Sequence, residues 1–301
     1  MARPSTSSNK KASIPKVTAR DFIMVAKPGI VVGNVLATLG GFLLASEHGV
    51  DKPTLFAAVF GTLFVIAASC VVNNYLDRDI DRKMTRTAKR PSVTGVLPLR
   101  VGIIYATFLY ILGFGVLLWQ TNILTAVIGF VGALFYTVVY GYAKRHTHHA
   151  TLIGALPGAT PPLAGYVAAT GHIDLTASVL FLAMLAWQMP HFYAIGLRRL
   201  KQYQAAHIPV LPAVKGLSRT VWEMRAYALL FLLSCYLLAH YAQAGFMFGL
   251  AMLMVSVYWF QPIFSPNWRS QTTQVATTVF KRSLTVLFAF CIFLALSHVL
   301  L

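Results

Sequence analysis

Apolar and polar positions fall into long blocks along this chain. Nine apolar runs, roughly 22–46, 53–76, 101–119, 122–142, 151–170, 174–197, 223–242, 245–262 and 281–300, are separated by polar islands. A helix of about 20 apolar residues crosses the hydrocarbon core of a bilayer. The pattern therefore predicts an all-α, polytopic membrane helical bundle of about nine transmembrane helices. No soluble fold of this size hides so many long apolar runs from water. Gly40-Gly41 and Pro157 lie inside runs and are tolerated where neighbouring helices satisfy freed backbone groups. Residues 1–20, with Ser5, Ser7, Lys10, Lys11 and Pro15, lack an apolar stretch. They read as a disordered cytoplasmic tail rather than a signal peptide, leaving residues 21–301 as one intramembrane domain.

Composition agrees. The 301 residues are 57% hydrophobic and 11% charged, against about a quarter charged in a soluble domain. Cys70, Cys235 and Cys291 fall in apolar runs and form no CxxC pair, so they read as small buried hydrophobes. The net charge of +17 would suggest nucleic-acid binding in a soluble protein. Here it reads as topology. With the N-terminus cytoplasmic, every Lys and Arg of the 25 except Lys52 falls in an inside segment. The basic balance thus orients the chain and attracts anionic membrane lipid, and no nucleic-acid partner is expected. The long charged loops follow spans 2 and 6, so the working face is expected to be cytoplasmic.

Three of the eight acidic residues sit in Asp77-Arg78-Asp79-Ile80-Asp81. At about 100° per residue a helix brings positions i, i+4 and i+8 onto one face. Asn73, Asp77 and Asp81 share that face, while Asn74 and Asp79 point elsewhere. Two carboxylates and an amide one turn apart suit Mg²⁺, which takes few carboxylates and completes its shell with water and phosphate oxygens. Arg82, Lys83, Arg86, Lys89 and Arg90 follow, and guanidinium forks hold phosphate oxygens. The plainer alternative is a solvated helix end with an ion pair such as Asp79–Lys83. Against it, Asn73 and Asp77 extend an apolar run toward the bilayer, where polar groups are costly and usually functional.

Asn73-x-x-x-Asp77-x-x-x-Asp81 closing the second of nine spans resembles the UbiA superfamily of intramembrane aromatic prenyltransferases. The stretch Asn73–Thr87, Lys27-Pro28-Gly29-Ile30, Pro161-Pro162-x-x-Gly165-Tyr166, Trp187-Gln188-Met189-Pro190-His191-Phe192 and Ala205–Pro212 are more specifically similar to its heme O synthase branch, the protoheme IX farnesyltransferases. The resemblance implies a helical bundle around a central cavity opening to the cytoplasm, with Mg²⁺ on Asn73, Asp77 and Asp81. It implies farnesyl diphosphate and heme B as substrates, heme O and diphosphate as products, and a terminal oxidase or heme A synthase as downstream partner. It also implies residence in the bacterial inner membrane, with organelle targeting left open by the Arg- and Ser-containing tail. Two features depart from the wider superfamily. The loop after span 6 reads Arg198-Arg199-Leu200-Lys201-Gln202-Tyr203, with no second Asp motif, and Ala150 or Thr151 stands where an Asn is common. Arg198, Arg199, Lys201 and Tyr203 are then expected to hold diphosphate directly.

His191 has two readings: an axial or hydrogen-bonding contact to heme, or a hydrogen bond between helices. Lys144 and Arg145 are candidate diphosphate contacts. Beside them, His146, His148 and His149 read as a labile metal site or a wet headgroup loop. Tyr136, Tyr140, Tyr142, Tyr166, Trp187 and Phe192 are candidates to line the cavity or to steady a cation, against a packing or interfacial role. Asn34, inside span 1, must find a partner in the bundle or cavity. Three rival readings stand beside this one. A transporter would need ionisable residues at mid-span or paired broken helices, and no acid lies at mid-span. A UbiA enzyme for a quinone precursor is disfavoured by the missing second Asp motif. A non-enzymatic heme-binding assembly factor would not need the acidic cluster.

Overall fold

The computed structural model describes residues 17–47, 49–242 and 244–297. Among these, all regular structure is helical. Two helices, α1 (Ala19–Val25) and α2 (Pro28–Leu44), are bent 60° against each other. The break is encoded locally. Pro28 disfavours helical backbone at the residue before it, and Lys27 adopts left-handed φ 56° and ψ 66°. After α3 (Lys52–Leu76) come the short α4 (Arg78–Lys83) and α5 (Pro91–Thr94), then α6 (Leu99–Gln120). The next rod is continuous but not uniform: α7 (Ile123–Leu134) passes through a π-helical turn, Phe135–Val139, into α8 (Tyr140–His146). Next are α9 (Ala150–Thr170), α10 (Leu175–Arg198) and the short α11 (Leu200–Ala205) and α12 (Leu211–Val214). The chain closes with α13 (Gly216–Tyr241), α14 (Gly245–Phe264), a 3₁₀ turn at Pro266–Trp268 and α15 (Thr272–Ala295).

The predicted apolar runs fall on these helices, with 22–46 divided between α1 and α2 and 122–142 running through α7, the π-helical turn and α8; residues 298–300 of the last run lie outside the described residues. Seven described helices are long and apolar enough to cross a membrane, or eight when the bent α1–α2 pair counts as one span. The predicted count of nine is therefore not reached on length and composition. The shortfall is α9, which spends its 21 residues on small residues and Pro157, Pro161 and Pro162. Only the boundary of the expected tail meets the described residues. Residues 1–16 lie outside the described residues, but Ala19 and Arg20 are already helical. Thr18 starts α1 by donating its N–H (2.9 Å) and Oγ1 (2.7 Å) to the Asp21 carboxylate.

Close packing between the helices depends on small residues, as expected where lipid provides no hydrophobic drive between helices. At the α2–α9 crossing, a Cβ on Gly41 would collide with the Pro162 carbonyl, and one on Gly165 with that of Thr38. Proline costs inside α9 are met locally. Pro161 lacks the N–H that would bond the Pro157 carbonyl, and Thr160 Oγ1 donates to that carbonyl instead at 2.8 Å. The largest core cluster centres on α10 and packs it against α13 and α15 through Leu180, Met189, Met224, Phe231 and Phe290. The protein is thus a multi-pass membrane helical bundle.

Candidate active site

The ends of α3, α8 and α10 and the start of α9 meet at one end of the bundle, around a cavity of about 950 Å³. Asn73, Asp77 and Asp81 all line it and are 2%, 2% and 4% exposed. Although α3 stops at Leu76, the helical ladder continues through the site. Asp77 N–H donates to the Asn73 carbonyl (3.0 Å) and Asp81 N–H to that of Asp77 (2.8 Å). The one-face spacing therefore survives the helix end. Asn74 does point elsewhere: its Nδ2 donates to the Val25 carbonyl at 2.6 Å and its Oδ1 accepts from Arg90 at 3.0 Å.

A cation holds one oxygen on each of the three residues. Lys27 Nζ donates to Asn73 Oδ1 at 2.5 Å, Lys144 Nζ to Asp77 Oδ2 at 2.7 Å, and Arg90 Nη1 to Asp81 Oδ2 at 2.5 Å. Asp77 Oδ1 and Asn73 Nδ2 are buried without a protein partner. An unsatisfied buried group costs about 1–3 kcal/mol, so these atoms are poised for a ligand. An open carboxylate oxygen in an oxygen-rich set suits a hard cation such as Mg²⁺. Six cationic side chains, Lys27, Arg86, Arg90, Lys144, Arg198 and Arg199, line the cavity against two carboxylates. This excess favours a polyanionic ligand.

The remaining sequence-predicted residues divide. Arg86, Arg198, Arg199, Tyr203 and His191 line the cavity, as do Tyr136, Tyr140, Trp187 and Phe192. Burial pushes the Tyr203 phenol pKa up; its ring packs near Ile80 and Met84. Arg82, Lys83 and Lys201 do not line the cavity; they are exposed on α4 and α11. The reason is rotational: one and two residues past Asp81, a helix turns by about 100° and 200° away from the carboxylate face. Arg145 is also directed away, forking onto Asp79 at 2.6 and 2.8 Å and donating to the Leu76 carbonyl at 2.8 Å. That guanidinium holds the Asp79 carboxyl down at about 2. The Asp79 partner is therefore Arg145 and not Lys83. Tyr142 is exposed, and Tyr166 donates to Asp174 at 2.7 Å away from the cavity. His146 Nδ1 bonds the Tyr142 carbonyl, and no group of three or more His, Cys, Asp or Glu among the described residues converges as a metal site. A cation here would rest on Asp77, Asp81 and Asn73.

The UbiA prenyltransferase family profile matches residues 34–285, most of the chain and all three cluster residues. The chain belongs to the UbiA prenyltransferase family. It is a prenyltransferase. It is similar to the protoheme IX farnesyltransferase of Escherichia coli strain K12, with 44% identity over 241 residues, 80% of this chain and 81% of the relative. Solved structures share the fold. A digeranylgeranylglyceryl phosphate synthase structure superposes with TM-score 0.77 at 18% identity, covering 94% of this chain and 99% of the other. A UbiA homologue from Archaeoglobus fulgidus bound to GPP and Mg²⁺ gives TM-score 0.61 at 12% identity, covering 89% and 99%.

Two features of this UbiA site were not assigned a role from sequence. Lys27 entered only as a basic residue and part of a resemblance, yet its Nζ reaches Asn73 across 46 residues. The Pro after it was the available signal, since Lys-Pro marks a helix break that turns a side chain out of register. The π-helical turn is the second. π-turns inside α-helices occur frequently at functional sites, and this one carries Tyr136. Tyr140 follows directly, with its ring stacked on Tyr136 at 5.9 Å. Asn34 lines the cavity while donating to its own helix at the Ile30 carbonyl, 2.8 Å.

Proposed function

We propose that this chain transfers a farnesyl group from farnesyl diphosphate to a vinyl group of heme B, giving heme O and diphosphate. The observation that carries the reading is the division of the cavity: a polar end built on Asn73, Asp77, Asp81 and six cations, and a largely apolar remainder with Trp187, Phe192 and Phe280 in its wall. The similarity to protoheme IX farnesyltransferases supports heme as the acceptor. The A. fulgidus homologue with GPP and Mg²⁺ supports a metal-bound allylic diphosphate as the donor.

Asn73, Asp77 and Asp81 would hold Mg²⁺, which when bound withdraws charge from the leaving diphosphate. Lys27, Lys144 and Arg90 each hold an oxygen of that trio, and with substrate present they pass to diphosphate oxygens. Arg86, Arg198 and Arg199 complete the cationic rim in place of a second Asp motif. Breaking the allylic C–O bond sends its electron pair to diphosphate. The stacked Tyr136 and Tyr140 rings sit beside Asn73, where their faces steady a developing allylic cation. Apolar walls keep water from quenching it. The heme vinyl supplies the electrons of the new C–C bond, water adds to the resulting cation and a proton leaves, forming the hydroxyethylfarnesyl group. We place the enzyme in a bacterial inner membrane with its N-terminus cytoplasmic, supplying a terminal oxidase or heme A synthase.

The test is product analysis. Purified protein in nanodiscs with heme B, farnesyl diphosphate and Mg²⁺ should yield a porphyrin heavier by farnesyl plus water. A parallel reaction supplied with an aromatic quinone precursor that yields the prenylated precursor, while heme B stays unchanged, would replace this reading with a quinone-type UbiA enzyme.

A further inference from the structure

The apolar wall of the cavity carries one nitrogen base whose tautomer is fixed by its surroundings. Ser283 Oγ lies 2.6 Å from the Phe280 carbonyl oxygen, which can only accept. The single hydroxyl proton is therefore committed to Phe280. His191 Nδ1 lies 2.6 Å from the same Oγ. With that proton spent, the contact is a hydrogen bond only if Nδ1–H donates to the serine oxygen. The neutral imidazole then carries its lone pair on Nε2. Among the described residues the imidazole hydrogen-bonds through Nδ1 alone, and His191 lines the cavity.

The ring is also clamped. Trp187 stacks on it with centroids 5.1 Å apart and 23° between planes, and Phe280 lies 5.1 Å away on α15. Trp187 is pinned through Nε1 to the Ser283 backbone carbonyl at 3.0 Å. One fully buried residue of α15 thus orients both the imidazole and the indole that packs on it. A fixed imidazole with Nδ1–H tied to an oxygen and Nε2 open is the arrangement that presents a histidine to a transition metal.

We propose that His191 Nε2 is an axial ligand to the iron of a metalloporphyrin in this cavity, and that Ser283 is its positioning residue. The inference rests on the heme reading above and goes beyond it by naming the iron-binding nitrogen and the group that aims it. Axial ligation would seat the porphyrin against α10 and α15.

The test uses the full chain in nanodiscs, titrated with heme B and followed by visible absorption and resonance Raman spectroscopy. The wild type should give a histidine-ligated spectrum. His191→Gly should lose it and regain it when imidazole is added. Ser283→Ala should lower the iron–histidine stretching frequency and weaken heme binding by about tenfold to a hundredfold, and Ser283→Thr, which keeps the hydroxyl, should restore both. These readouts separate ligation from mere packing. If His191→Gly folds poorly, the Ser283→Ala frequency still decides. A wild-type enzyme that makes heme O while His191→Gly keeps the wild-type spectrum, or Ser283→Ala keeps the wild-type frequency, overturns the ligand assignment alone. A wild-type spectrum without histidine ligation also overturns it. Failure of the wild type to make heme O overturns the acceptor reading instead.

Discussion

Lys144 Nζ stands 2.7 Å from Asp77 Oδ2, joining the end of α8 to the end of α3 across 67 residues of sequence. Lys144 keeps 15% side-chain exposure and Asp77 only 3%. The lysine thus occupies one carboxylate oxygen while the other, Oδ1, is buried and unpartnered. Asp77→Ala should lower kcat/KM by at least about 10², with the protein still inserted. Lys144→Met should lower it about tenfold to a hundredfold, because it removes one donor to the leaving group and keeps the carboxylate. Steady-state rates with farnesyl diphosphate check both. Equal losses in the two variants would argue that the pair acts only as a structural tie.

Arg90 links the site to the scaffold. It pairs with Asp81 and also donates to Asn74, which in turn holds the Val25 carbonyl at the end of α1. Asn74 is fully buried. Asn74→Ala should cost about 1–3 kcal/mol of stability by stranding these partners, seen as a lower Tm in detergent. Its effect on kcat/KM should be non-additive with that of Arg90→Ala, since the two residues share one network.

Asp79 is predicted to matter little to catalysis. Its carboxylate faces out, and Asp79→Asn should keep activity within about threefold, an effect below 1 kcal/mol as expected of an exposed pair. The pH dependence has a definite sign. Arg145 lowers the folded-state pKa of Asp79 from 3.8 to about 2. The pair's contribution to stability is therefore complete above about pH 4 and is lost as pH falls toward 2. Comparing Tm of wild type and Asp79→Asn at pH 7 and pH 3 should show a small difference that shrinks on acidification.

The α2–α9 crossing gives a packing test remote from the chemistry. Gly165→Val forces the helices apart at Thr38, where even a methyl group collides with backbone. A large loss of thermal stability is expected, with a cavity too distorted for activity. Thr170→Ala, which removes a hydroxyl bonded only locally, to the Tyr166 and His172 carbonyls and the His172 N–H, should stay near wild type.

The long helices were legible because apolar length alone specifies a span, and the Asn73, Asp77, Asp81 face because helical rotation does not depend on tertiary context. The same rotation, applied one and two residues past Asp81, would have excluded Arg82 and Lys83; charge drew attention to them instead. Lys27 was not assigned a site role because its reach to Asn73 depends on a 60° bend and a left-handed residue. The role of Ser283 depends on α15 docking against α10, a contact across 92 residues with no local signal. Helix α9 reads as a span from its run of residues, yet its prolines and small side chains serve close packing more than lipid contact.

The most direct test of the central claim is a single-turnover reaction with heme B and farnesyl diphosphate, comparing wild type with Mg²⁺, wild type with EDTA, and Asp77→Asn with Mg²⁺, each resolved by mass. The account predicts heme O in the first reaction alone, with heme B recovered in the other two. Heme O at the wild-type rate from Asp77→Asn, or from the chelated enzyme, would contradict it.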